Sequence, residues 1–558
     1  MRLVNKDMAK YFRDKVVRHL SRPCHPDVFR QRWGALGAMT GLSAKQRLQL
    51  VCLVAASGDL ANLEIAFEVA GCAPMEAMME AAAAAGQLYS CKWLRSRPRE
   101  CPWGNALAKA AQAGHEDVVK GLLHEGCPRS DDAVYAAASG GHAHLIDYLT
   151  SNNGGTVRVG KLLAAAAEGC DLDAFQQLHE KWRRGFPLKL LGKGLSTSSE
   201  INIISAAAGS PLPDWRAKVE WLVARGYPVN KSQMGFAAAR RPDGLNRLTW
   251  LRKGGYFAGD DSPPWEQTFE AAGRDGNIDV VLYLLHSYRL QHRPRYMEVA
   301  AVAAAGAGHV GFLVTLREEY GLEPETIKSA LRSAARAGQL RVLSWAEAAL
   351  PGYEVRSDPE LLTAAAESGN MELVEWVWAR STSRSPDCFL GAVKGGCEEV
   401  LEWMEEHGFL ASAGDWTAYY LAAGRNGDLR TLRWLHGRLP PGPLPMSLSS
   451  RFLQSKCPLE TIRWLVEEAG CPRDWSVVGL TASSPGVHAW LGSVALTFSS
   501  SGSGVTTLSR SAAGTSHTID TGNGARSSVA EAAAAALDSS GARVRGAGCE
   551  GRYRYSTV

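Results

Sequence analysis

Residues 111–130 read AQAGHEDVVKGLLHEGCPRS. Within that stretch Val118, Val119, Leu122 and Leu123 stand at i, i+1, i+4 and i+5, and just upstream Ala106, Leu107, Ala110 and Ala111 repeat the spacing. Such intervals place each set on one face of a helix. Gly114 lies between the sets, where a backbone able to take positive φ ends the first helix. Gly126 ends the second in the same way, and Pro128 stops it from continuing. The stretch predicts a helical hairpin.

The same plan returns in AAAGQLYSCKWL (83–94), AAESGNMELVEWV (365–377) and AAGRNGDLRTLRWL (422–435). Glycines 58, 86, 114, 141 and 169 are separated by 28, 28, 27 and 28 residues. A second train, Gly276, Gly308, Gly338, Gly369, Gly396 and Gly427, is spaced by 32, 30, 31, 27 and 31. Four positions before these glycines alanine stands every time except at Val54, and seven positions after them an aromatic falls at Trp93, Tyr148, Tyr283, Trp345, Trp376, Trp403 and Trp434. Aromatics make up only 8% of the chain, so the recurrence is not chance.

Helices this short are marginal alone in water, and one hairpin cannot hide its apolar faces. Stacking of hairpins stabilises the set, which predicts an all-α solenoid of about fourteen or fifteen units. Between the trains Gly209 and Gly244 read as degenerate members, while PLKLLGKGLSTSSE (187–200) and KGGYFAGDDSPPW (253–265) read as inserted loops. The expected organisation is a helical cap over 1–50, repeats over 51–186, degenerate repeats with loops over 187–265, repeats over 266–492 and a tail over 493–558. That tail is rich in Ser, Gly and Ala and is expected to be disordered, with at most a short helix at 527–540; one expectation is that it is unrelated coding joined to a truncated array.

A chain of 558 residues exceeds one ordinary core, in keeping with an array. The net charge of +4 gives no licence for a nucleic-acid or acidic-membrane partner. The start, MRLVNKDMAKYFRDK, lacks the apolar stretch of a secretory signal, and no run of about 18 apolar residues spans a bilayer. The twelve cysteines are scattered without CxxC pairs and are expected to be reduced, in the cytoplasm or nucleus.

The block AAQAGHEDVVKGLLHEGCP (110–128) resembles the ankyrin repeat, with Ala110, Ala111, Gly114, His115, Val118, Val119, Leu122, Leu123 and Gly126 at matching positions. AAASGGHAHLIDYL (136–149) and AAAGAGHVGFLVTL (303–316) resemble it too. The departures are systematic: the Thr-Pro-Leu-His opening is absent, Gly-Cys-Pro replaces Gly-Ala-Asp at 126–128 and 470–472, and the period is shorter than 33. The resemblance, over roughly 50–492, implies an ankyrin-like solenoid with short finger loops. It also implies that His115, His142 and His309 hydrogen-bond neighbouring backbone. A second stretch, RLVNKDMAKYFRD (2–14), is similar to the last helix of an F-box through Leu3, Val4, Asn5 and Lys6, which implies a remnant of a ubiquitin-ligase docking domain.

No catalytic, cofactor-binding or metal residue is singled out, and no cofactor is expected. Trp93, Trp345, Trp376, Trp403 and Trp434 read as core, and Cys72, Cys127 and Cys471 as semi-buried turn residues. His142 and His144 would need a third ligand to hold a metal. Basic clusters at 179–194, including Arg183, Arg184, Lys189 and Lys193, and at 240–255 read as a solvated loop rim or an anionic contact. The unequal period and missing code positions speak against RNA reading. The expectation is a monomeric, non-enzymatic scaffold for one or more unidentified proteins, with no nucleic acid. Lys109, Glu116, Asp131, Asp132 and Glu360 are candidate contacts. Its alternatives are a ubiquitin-ligase adaptor and, by family grouping only, a relative of sphingomyelin phosphodiesterases.

Overall fold

The computed structural model describes residues 20–35, 37–97, 101–151, 157–183, 203–227, 229, 231–256, 265–288, 290, 293–349, 358–381, 385, 387–409, 416–438, 444–472, 498–500, 505–509 and 516–520. The F-box-like stretch 2–14, the loop 187–200 and the helix expected at 527–540 lie outside them. Among the described residues 29 helices follow one another: Pro26–Trp33, then fourteen pairs that run from Ala44–Ser57 with Leu60–Ala70 to Met446–Gln454 with Leu459–Glu467. These pairs are called hairpins 1 to 14. The chain is an α-solenoid of stacked helical hairpins, and it divides into two compact units, residues 1–423 and 424–558.

In the first unit, each first helix packs on the first helices before and after it. Alanine makes that approach close. Ala82, Ala110, Ala137, Ala272, Ala304, Ala334, Ala365 and Ala392, all four residues before a turn glycine, are fully buried. Val118, Val119 and Leu122 on a second helix fill the seam between hairpins. Each such side chain removed from water contributes roughly 1.5–3 kcal/mol, which no hairpin collects alone.

Ten of the eleven train glycines take positive φ. At Gly114, with φ 79°, the Gly114 N–H donates to the Ala111 carbonyl at 3.3 Å and the His115 N–H to Ala110 at 3.0 Å. This paired closure satisfies carbonyls that the helix end leaves open. The exception is Gly169, the last residue of Val159–Gly169; its need is proximity, since a Cβ there would collide with the Ser139 carbonyl of the preceding hairpin.

Gly209 and Gly244 depart from expectation. Neither takes positive φ, and Gly244 begins the second helix Gly244–Lys253 instead of ending the first. Buried cations hold the turns at Gly169 and Gly209. Lys218 Nζ donates to the carbonyls of Cys170 at 2.7 Å and Ala167 at 3.2 Å, and to Ser210 Oγ at 2.9 Å. One hairpin later Arg247 Nη1 donates to Ala208 and Ser210, each at 2.8 Å. Both cations sit four residues after an aspartate, Asp214 at 3.2 Å and Asp243 at 2.7 Å. Burial holds the pKa of each below its ordinary range, and the aspartate opposes that shift. The pattern is written in the chain as PDWRAKVEW (213–221) and PDGLNRLTW (242–250).

The first unit also makes contacts that no repeat register predicts. Arg47, fully buried in hairpin 1, donates from Nη1 to Leu42 at 2.9 Å and across 349 residues to the Gly396 carbonyl at 2.7 Å. Beside it the Thr40 carbonyl accepts from the Glu399 N–H at 3.2 Å and from Cys397 Sγ at 3.3 Å. Hairpin 1 is thereby clasped to the turn of hairpin 12.

The second unit holds Leu429–Arg438, the hairpin Met446–Gln454 with Leu459–Glu467, and the tail. The tail contains one local exception to the all-helical plan. Strands β1 (Phe498–Ser500), β2 (Val505–Ser509) and β3 (Ser516–Asp520) pair antiparallel in that order. Their β-branched residues Val505, Thr506, Thr507, Thr518 and Ile519 suit extended backbone.

Candidate interaction surface

The surface is built from positions the register leaves outside. Nine residues before the turn glycine, on the opening turn of the first helix or just before it, stand Ala77, Asn105, Asp132, Gln267, Glu360 and Asp387, all exposed. Five residues later in each of these six hairpins comes a fully buried alanine. In them one position is fixed by helix approach while the other varies; at Gly160, Val299, Ser329 and Ala418 the varying position is half-buried.

Of the candidate contacts, Lys109 is exposed on Ala106–Ala113, and Asp131 and Asp132 open the next first helix, Asp131–Ser139. Glu360 lies seven hairpins further on, with Arg332 Nη1 2.8 Å away. Glu116 begins a second helix and is engaged by Lys120 at 2.6 Å, whose ammonium holds the Glu116 carboxyl below the ordinary carboxylate range. The five residues are spread over the array and do not form one site.

The tryptophans depart from the core reading. Trp434 is buried, but Trp93, Trp345, Trp376 and Trp403 are half-buried at the seams between second helices. In four hairpins the face of an indole on the second helix carries a guanidinium. Arg97 lies 4.0 Å over Trp93, Arg225 3.6 Å over Trp221, Arg380 4.1 Å over Trp376 and Arg438 3.9 Å over Trp434. His407 stacks on Trp403 at 3.8 Å. Trp345 lines a shallow apolar dimple with Leu313, Leu322, Ile327 and Leu331. The Trp-x-x-x-Arg spacing is present in the sequence and was the available signal. Each such pair contributes about 0.5–1 kcal/mol at a partly exposed site.

The histidines take up the backbone. His115 Nε2 stands 3.2 Å from the Ala84 carbonyl and His309 Nε2 3.0 Å from the Arg274 carbonyl, each in the turn of the preceding hairpin. Because a carbonyl only accepts, Nε2 carries the proton in both. His142 packs its ring against Gly114, 6.1 Å from and edge-on to His144, whose Nε2 is 3.8 Å from Glu116. Cys72, Cys127 and Cys471 are buried thiols. Arg184, Lys189, Lys193 and the side chain of Arg183 lie outside the described residues.

No family model matches the chain, and no curated protein matches it. Solved structures do. A pentatricopeptide repeat protein, PPR10, in complex with an 18-nucleotide psaJ RNA element is 11% identical, covering 81% of this chain and 79% of that one, with a TM-score of 0.25. A triple cysteine-to-serine form of PPR10 with the same RNA element is 12% identical over 88% and 87%, with a TM-score of 0.21. PPR10 from maize is 13% identical over 88% and 75%, with a TM-score of 0.21. These likenesses are to helical-repeat solenoids. The sequence-based exclusion of nucleic acid is withdrawn, since two of these structures are RNA complexes. No helix among the described residues is long and apolar enough to cross a membrane.

Proposed function

We propose that this chain is a non-enzymatic scaffold that binds partner proteins along the face carried by its first helices, through a shortened, divergent relative of the ankyrin hairpin. One observation carries the proposal. In six hairpins of one register the alanine that sets helix approach stays constant and buried, while the exposed residue five positions earlier runs Ala77, Asn105, Asp132, Gln267, Glu360, Asp387. Invariant interior with changing exterior is how a repeat array offers many distinct contacts on one frame. The expected compartment is the cytoplasm or nucleus.

The test is affinity capture with the full chain against Asp132→Lys and Glu360→Lys. A defined subset of partner proteins is expected to be lost from each variant, with unchanged thermal unfolding. Identical partner sets from all three chains would sink the proposal. So would turnover of a lipid phosphodiester by the purified protein that a single substitution abolishes.

A further inference from the structure

Over most of the array many cations are ion-paired, and among the described residues the exposed ones that are not, such as Lys109, Arg129 and Arg341, are scattered along the chain. Arg97 meets Glu64 at 2.9 Å, Lys92 meets Glu125 at 2.9 Å, Arg295 meets Glu266 at 2.9 Å and Arg380 meets Glu347 at 2.7 Å. Hairpins 6 and 7 are different. Arg216, Arg225, Arg240, Arg252 and Lys253 are all exposed there, and among the described residues none has a carboxylate within ion-pair distance. The only exposed carboxylate on their helices is Glu220. The acids that belong to this segment are already used: Asp214 and Asp243 serve the buried Lys218 and Arg247, and Glu168 of hairpin 5 takes Arg241 at 3.1 Å.

Sequence composition runs the same way. Residues 181–264 hold fourteen Lys and Arg against six Asp and Glu, whereas the whole chain holds 61 against 57. The remainder of the chain is therefore slightly acidic, and the positive charge is concentrated in one segment.

The cations are also held ready. Arg225 lies flat on Trp221, and Arg252 sits 5.5 Å over Tyr288 while donating from Nη2 to the Ser287 carbonyl at 3.4 Å. Arg216 lies over both Trp215 and Trp250, at 5.3 and 5.9 Å. A guanidinium fixed by a ring keeps its N–H edge in one fork, so less entropy is lost when a carboxylate binds. Arg225, Arg252 and Lys253 close the C-terminal ends of the second helices Trp215–Ala224 and Gly244–Lys253, which touch through Trp215 and Trp250 at 5.1 Å.

We infer that hairpins 6 and 7 form a docking patch for a short acidic segment of a partner protein, with Arg225, Arg252 and Lys253 at its centre. This deepens the scaffold reading and rests on it. Charge complementarity selects the occupant, and the extent of the patch selects its size. A nucleic-acid strand gains affinity with every phosphate neutralised and so follows a long basic stripe. Here the excess of basic over acidic residues is confined to one segment, and the remainder of the chain is slightly acidic. Elsewhere lie ion-paired hairpins and acidic helices such as EEVLEWMEE, Glu398–Glu406. A few carboxylates on a peptide need no more than this patch.

The experiment measures fluorescence anisotropy of a labelled glutamate-rich decapeptide, and separately of a uridine decamer, against the full chain. The peptide is expected to bind, with affinity falling about tenfold or more for Arg225→Glu/Arg252→Glu/Lys253→Glu and falling as salt rises. Arg225→Lys/Arg252→Lys, which keeps charge and removes the flat fork, is expected to retain part of that affinity. Thermal unfolding of both variants checks that the fold is intact. Absence of peptide binding, or peptide affinity indifferent to charge reversal, overturns the inference. Tighter binding of the uridine decamer, abolished by the same reversal, assigns the patch to nucleic acid and overturns it too. If the peptide fails while Asp132→Lys and Glu360→Lys still lose partners, the patch falls and the scaffold stands; the opposite pattern removes the scaffold reading and leaves an isolated peptide site.

Discussion

Gly114 and Gly169 occupy equivalent places in the register and are glycine for different reasons. Gly114 needs its left-handed φ of 79°, and a Cβ would also run into the His142 ring. Gly169 has no such φ; it needs room, because backbone of hairpin 4 lies where its Cβ would be. A ring at the end of a side chain can yield, whereas a carbonyl locked in a helix end cannot. Gly114→Ala is therefore expected to cost about 1–2 kcal/mol, the left-handed penalty. Gly169→Ala is expected to cost more, about 2–4 kcal/mol, by forcing hairpins 4 and 5 apart. Urea unfolding of the two variants measures both, and equal losses would mean that Gly169 is governed by conformation after all. The sequence placed both residues correctly but could not tell them apart, since spacing reports position and is silent about what stands opposite. The same limit explains Gly244. Distance from its neighbours assigned it to the end of a first helix, whereas it opens a second one; the buried Lys218 and Arg247, legible only as the repeated Pro-Asp with a cation four residues on, hold the turns at Gly169 and Gly209.

At the level of helices and turns, the seams between hairpins are lined by neutral thiols. Burial pushes Cys91, Cys101 and Cys457 up to about 12 and Cys127, Cys170 and Cys471 up to about 11, from an ordinary value of 9.0. A group raised in the folded state contributes stability that is whole below the unfolded value and disappears as pH climbs towards the folded one. Below about pH 9 nothing is lost; between about 9 and 11–12 the unfolded chain ionises first and stability falls. Lys218 works the other way, its lowered pKa making folding easier as pH rises, but it is one group against nine thiols, since burial raises Cys52, Cys388 and Cys397 as well. The midpoint of thermal unfolding at pH 10.5 is expected to lie several degrees below that at pH 8, and the fall to shrink in Cys91→Ala/Cys127→Ala. A midpoint that rises with pH would show that buried cations, not thiols, govern the alkaline limb. The burial of Cys127 and Cys471 was legible from their place in the Gly-Cys-Pro turn; that of Cys91, Cys101, Cys170 and Cys457 was not. The indoles were misjudged, because an aromatic at a constant register position marks a seam equally well whether its face is buried or roofed by the arginine four residues later.

For the molecule as a whole, a repeat sequence specifies how each hairpin sits on the next, and contact between distant hairpins depends on the rotation that accumulates along the stack. Small angular differences summed over a dozen steps cannot be read from periodicity. That is why the clasp of hairpin 1 on hairpin 12 had no sequence signal beyond an arginine on an otherwise apolar helix face. Its chemistry is specific enough to test. Glu399 lies in the first turn of Glu398–Glu406, where an N–H has no partner within its own helix, and the Thr40 carbonyl accepts it. Exchange at that amide thus reports the clasp and little else. Arg47→Ala removes the charged donor to Gly396, an interaction of roughly 1.5–3 kcal/mol, and leaves the hairpin 12 core of Val400, Leu401 and Met404 untouched. Hydrogen exchange is expected to quicken at Glu399 in this variant and to remain slow at Leu401 and Met404. Faster exchange across all three would mean that hairpin 12 itself unravels when the clasp is lost. Unaltered exchange at Glu399 would mean that Thr40 stays in place without Arg47, and that the apolar contacts of hairpin 1 hold the closure by themselves.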